Sequence, residues 1–118
     1  MKVAKSEDLP SFELFGKVAA KVVLNTERMT LLFVELPEGT VVPVHSHPHE
    51  QCGIALKGEA EIGNGISVHR VKEGMFYHIP PNEKHGVKMV RGSGLFVDIF
   101  SPPREEYVEK QKKAVKRP

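Results

Sequence analysis

Three of the six histidines stand within five residues, in the run His45-Ser46-His47-Pro48-His49. On a strand, residues two apart project to the same face. His45 and His47 therefore have the spacing that lets two imidazoles reach one metal ion at about 2.0–2.2 Å. Pro48 has no N–H with which to continue a ladder, so the chain is expected to turn there. That leaves His49 as a turn residue or a group that supports a ligand. Further on, Asp98 and Phe100 alternate with Val97 and Ile99 and share one strand face. A carboxylate on an interior face is costly unless something pairs with it. Arg104 follows just beyond Ser101-Pro102-Pro103, whose prolines stiffen the turn. An ion pair between Asp98 and Arg104 that closes the end of the fold is one reading of these two residues.

Short strands must position these residues. Nine prolines and ten glycines interrupt the chain too often for long helices. The runs between them predict strands at Ala19–Leu24, Thr30–Leu36, Cys52–Lys57, Glu59–Ile62, Ile66–Val71, Met75–Ile79, Val87–Val90 and Leu95–Phe100. Gly63-Asn64-Gly65 is a hairpin signal, because both residue types tolerate positive φ. This pattern predicts an all-β sandwich or barrel. One helix is expected at the C-terminal end, with Pro103 at its first position and Glu105 and Glu106 at the positive end of its dipole. Tyr107, Val108, Gln111, Ala114 and Val115 form a stripe that packs on the barrel or on a second subunit. Strand parity turns Cys52 away from Gln51's face and sets Tyr77 and His78 on opposite faces, leaving open which of those two looks inward. His69, beside Arg70, is expected on the surface.

Gly39 to Gly58 reads G-x5-H-x-H-x3-Q-x6-G, and Gly74 to His85 reads G-x5-P-x-N-x2-H, with 15 residues between them. In order and spacing these resemble the two motifs of the cupins, small double-stranded β-helix (jelly-roll) barrels with a metal inside. The resemblance implies a single cupin domain over 1–118, with a barrel core at about 18–101 and a helix and basic tail at about 103–118. It implies metal ligands at His45, His47 and His85. At the fourth ligand position, where many cupins carry glutamate, this chain has Gln51; Glu50, next to it, belongs to the opposite face. Asn82 replaces the usual glycine before the last histidine and tolerates the left-handed conformation. Met89 stands where the family's trailing asparagine is expected.

Three histidines and a glutamine leave a divalent ion its full charge, which suits polarising a substrate oxygen better than supporting oxidised iron. The expected cofactor is one divalent transition metal per chain, with Zn, Ni, Mn and Fe all compatible. Asp-Ile-Phe-Ser-Pro-Pro-Arg also resembles the last strand of the pectin-degradation cupins that linearise 4,5-unsaturated uronates. That resemblance assigns Asp98 to proton transfer, Phe100 to packing on the sugar and Arg104 to a substrate carboxylate. The expected function is a metal-dependent isomerase or ketonising enzyme acting on a small carboxylated sugar such as an unsaturated uronate. A metal-dependent dioxygenase and a non-catalytic small-ligand-binding cupin are the alternatives.

Composition narrows the partners. Of 17 basic residues, five lie from Lys110 onward with no acidic residue among them, leaving 12 basic against 15 acidic in the rest of the chain. The basic excess therefore belongs to a tail, whereas nucleic-acid binding calls for basic residues interleaved with aromatics on a folded face. No apolar run approaches the roughly 20 residues of a membrane span. A single cysteine and the lack of a secretory pattern at the N-terminus point to the cytoplasm. A small-molecule substrate and a homodimer are the expected partners.

Overall fold

In the computed structural model, which describes residues 1–115, the chain forms eight strands and one α-helix. The strands are β1 (Phe12–Leu14), β2 (Val18–Asn25), β3 (Thr30–Leu36), β4 (Val41–His45), β5 (Glu50–Gly63), β6 (Val68–Lys72), β7 (Phe76–Ile79) and β8 (His85–Ser101); the helix is α1 (Glu105–Val115). All pairings are antiparallel, in the order β1-β2-β3-β8-β5-β6, with β4 added to β8 and β7 to β5. The fold is a double-stranded β-helix, the jelly-roll barrel.

Two long strands explain the closure. The first half of β8 pairs with β4 and with the second half of β5, while its second half pairs with β3 and the first half of β5. Each strand therefore serves both sheets and must bend between them. The bends fall at Gly58 (φ 85°) and Gly92 (φ 69°), where the β5–β8 register slips. A Cβ at Gly58 would approach the Ser93 carbonyl oxygen to 2.5 Å, so only glycine fits there. These glycine bends are why the sequence reading divides β5 and β8 into two strands each; the ladder runs through both. Strands β1 and β4, absent from the sequence roster, are short pieces paired at the edges of β2 and β8.

Alternation along the strands builds the core. Val18, Ala20 and Val22 of β2 and Thr30, Leu32, Val34 and Leu36 of β3 point inward and are buried. The helix begins at Glu105 rather than Pro103, because the Arg104 N–H is held by Thr30 Oγ1 (2.8 Å) and the Arg104 carbonyl accepts the first helical N–H groups. From Tyr107 to Ala114 its stripe packs on the barrel; the Val115 side chain lies outside the described residues. Tyr107 enters the core beside Phe12, Val108 and Ala114 pack against the same cluster, and the Gln111 amide bonds both the N–H and C=O of Val22. Lys116 and Arg117 of the basic tail lie outside the described residues.

Candidate metal centre

The inward ends of both sheets meet at one cavity. His45 closes β4 and lies directly opposite His85, the first residue of β8, with ring centroids 4.5 Å apart. His47 is not on the strand: β4 ends at His45, and His47 sits in the loop that follows. Its backbone is pinned there by the Asn82 N–H, which donates to the His47 carbonyl at 2.8 Å. Asn82 makes this turn at φ 66°, in the left-handed region that an Asn side chain tolerates. One ligand nitrogen from each of His45, His47 and His85 falls within 4.8 Å of the others.

The rings are held in the form a metal needs. Nδ1 of His45 faces the Pro43 carbonyl at 2.8 Å, Nδ1 of His47 the His49 carbonyl at 3.1 Å, and Nδ1 of His85 the Glu83 carbonyl at 2.9 Å. A carbonyl can only accept, so each Nδ1 carries the proton and each Nε2 presents its lone pair. Burial, reinforced by the Arg104 charge, lowers the His47 pKa to about 4, and burial lowers that of His85, which keeps both imidazoles neutral near pH 7.

Gln51 completes the argument for a cation. Its Oε1 lies 3.0 Å from His47 Nε2, so two acceptors face each other in a buried site. Gln51 and Asp98 line the same cavity, with the amide oxygen facing the histidines. A divalent ion among these four residues satisfies lone pairs that are otherwise unpaired, so the residues fit the group. Glu50 turns outward and pairs with His78 at 2.7 Å on the exposed face.

Asp98 lies in the same cavity, buried, and burial raises its pKa to about 6 while hydrogen bonds from Tyr77 and Gln51 hold it down. The Asp98–Arg104 ion pair is not formed. The Asp98 partner is the Tyr77 hydroxyl, whereas Arg104 donates from Nε to Glu106 at 3.2 Å and from Nη2 to the Tyr107 hydroxyl at 2.9 Å. The reason is geometric: the guanidinium is stacked over the Tyr107 and Phe100 rings, 4.2 and 4.8 Å from their centroids, and this fixes its edge toward α1. Arg104 Nη1 has no protein partner among the described residues, and Arg104 lines the cavity. Phe100 is buried edge-on to His47 at 5.6 Å.

Structure decides the pair that parity left open: Tyr77 lines the cavity and His78 is exposed. Cys52 and His69 are exposed, and His49 sits in the bend, with its Nδ1 buried and unpartnered among the described residues. The sequence reading missed Phe15. It occupies the β1–β2 turn at φ 52°, with its ring 5.3 Å from that of His45. The Phe-Gly turn dipeptide was the available signal. Gly53, a glycine inside a strand, was a second one.

Comparison with known proteins agrees with the fold. The model of the cupin domain matches residues 32–99. The pectin degradation protein KdgF of Dickeya dadantii is 24% identical over 103 residues, covering 86% of this chain and 94% of that protein. The structure of KdgF from a Halomonas species superposes with a TM-score of 0.82 at 23% identity, covering 90% of this chain and 97% of that one. An RmlC-like cupin from Shewanella frigidimarina superposes with a TM-score of 0.83 at 20% identity, over 91% of this chain and 96% of the other.

Proposed function

This chain belongs to the cupin family, and from that footing we propose that it is a metal-dependent enzyme that ketonises and opens a small carboxylated sugar, a 4,5-unsaturated uronate. One observation carries the reading. A single cavity brings three imidazoles with free Nε2 atoms together with a buried carboxyl of pKa about 6 and a guanidinium with unpartnered N–H groups. The likeness to pectin degradation proteins at 23–24% identity supports the same substrate class.

His45, His47, His85 and Gln51 hold one divalent ion, which when bound supplies Lewis-acid polarisation of substrate oxygens. Arg104 takes the substrate carboxylate with the N–H groups that Glu106 and Tyr107 leave free. Phe100 packs on the sugar ring. Asp98 takes the proton from the anomeric hydroxyl and delivers it to C4. The C1–O5 bond breaks, C1 becomes an aldehyde, and the C5 enol becomes a ketone, so the step is an isomerisation with no atom gained or lost. A carboxyl with a pKa near 6 is suited to both halves of that transfer near neutral pH.

The test is direct. Chain loaded with zinc is mixed with 4,5-unsaturated galacturonate, and loss of the conjugated double bond is followed by ultraviolet absorbance with oxygen uptake recorded. Disappearance of the double bond without oxygen consumption supports the reading. An unchanged spectrum with zinc bound overturns it, and oxygen uptake would favour a dioxygenase.

We also read the protein as a homodimer. With α1 packed on its own barrel, the support moves to the outer sheet face, where Leu56, Phe76 and Ile99 are exposed. Sedimentation of a clean monomer at high concentration would overturn this.

A further inference from the structure

Strands β7, β5 and β8 lie side by side, and their register sets Tyr77, Gly53 and Asp98 in one row, with Gly53 between the other two. Tyr77 is nonetheless bonded to Asp98: its hydroxyl crosses the middle strand and donates to Asp98 Oδ1. Gly53 is what makes this possible. A Cβ there would overlap both the Tyr77 ring and the Asp98 carboxyl. Gly53 is not in the left-handed region, so its backbone does not demand glycine. A glycine inside a central strand weakens the strand, and here the gain is the space it leaves for this one side chain.

The choice of donor is informative. A buried carboxylate that only needed stabilising would be matched with a cation, and Arg104 is nearby in the same cavity but turned to Glu106 and Tyr107. A neutral hydroxyl fixes where the carboxyl points without cancelling its charge. That bond holds Asp98 where it lines the cavity.

We propose that Tyr77 is the positioning residue for Asp98, and that Gly53 is retained as the gap through which it acts. This rests on the reading of Asp98 as the group that moves the proton. Tyr77→Phe removes only the hydroxyl, so it is the decisive variant. In the zinc-loaded full chain, Tyr77→Phe should keep its metal and stay folded, with a melting temperature lower by several degrees because the buried Asp98 carboxyl loses a donor. Turnover of 4,5-unsaturated galacturonate should fall about tenfold or more in kcat, with KM changed by less than about twofold. Gly53→Ala, which pushes the Tyr77 ring aside, should reproduce the kcat loss. Paired with Asp98→Asn, Tyr77→Phe should add little further loss.

Proton NMR supplies a readout that needs no substrate. The hydrogen-bonded Tyr77 hydroxyl proton should give a downfield resonance that is absent from Tyr77→Phe, lost in Gly53→Ala and moved in Asp98→Asn. Wild-type kcat in Tyr77→Phe overturns the proposal, as does a kcat loss that comes with loss of zinc. If the wild-type chain leaves the uronate untouched, the functional reading has failed. The resonance then decides the positioning: its response to all three variants supports it, and its absence from the wild-type chain overturns it.

Discussion

Arg104→Ala separates a substrate clamp from a structural strut. The guanidinium is stacked between Phe100 and Tyr107 at 4.8 and 4.2 Å and is buried, so each such contact contributes about 1–2 kcal/mol. Its bond to the buried Tyr107 hydroxyl adds about 1.5 kcal/mol. The Glu106 pair adds at most a few tenths, since that side chain is 52% exposed. Truncation should therefore cost about 3–6 kcal/mol, which at about 4 °C per kcal/mol lowers the melting temperature by roughly 12–24 °C. Were Arg104 the partner of Asp98, the cost would be similar, about 3–5 kcal/mol, but Asp98→Asn would relieve it; with no such pair, the losses of Arg104→Ala and Asp98→Asn should add to within about 0.5 kcal/mol. Arg104→Lys keeps the charge but loses the planar fork. Turnover of the carboxylated uronate should then fall about tenfold or more, equivalent to about 1.4 kcal/mol in the barrier. Thermal unfolding of the alanine variant and steady-state kinetics of the lysine variant supply the two numbers. A coupling above about 1 kcal/mol between Arg104→Ala and Asp98→Asn, or full turnover by Arg104→Lys, would refute the reasoning.

Alanine at His45, His47 or His85 should abolish zinc binding in calorimetric titration, Gln51→Ala should weaken it less, and Glu50→Ala should leave it intact, because Glu50 pairs outward with His78. Zinc affinity should decline as pH falls and protons compete for the ligand nitrogens, with the His47 share of that decline delayed to about pH 4; an affinity unchanged between about pH 8 and pH 4 would contradict this. Asp98 has a folded pKa of about 6, above its ordinary 3.8, so the folded state binds the extra proton between those values. Its contribution to stability is therefore full below 3.8 and lost as pH rises through about 6. In denaturant titrations of the metal-free chain, the stability of Asp98→Asn relative to wild type should rise across that window and level off above it.

How much was legible in the sequence depends on how local the physics is. Alternation of apolar residues marks β2 and β3, and Thr30–Leu36 is read to the residue because both of its ends are set by short-range pattern. His45 and His47 stand out by residue type and spacing, whereas Gln51 and His85 are marked as ligands only by the resemblance of their motifs to those of the cupins. The long strands β5 and β8 were read as halves. Glycine looks like a break in one dimension, and only pairing with a second strand turns it into a bend within a continuous ladder. Partner choice was likewise tertiary. Asp98 and Arg104 are six positions apart and invite an ion pair, yet Asp98 is bonded by Tyr77, 21 positions away, across Gly53. Strand register sets that row, and the Phe100–Tyr107 stack turns Arg104 toward α1. Residue type determined which atoms could bind a metal, carry a proton or hold an anion. Which of them meet was decided by the closure of two sheets on one cavity, because hydrogen bonds and ring contacts act over a few ångströms of space and are indifferent to distance along the chain.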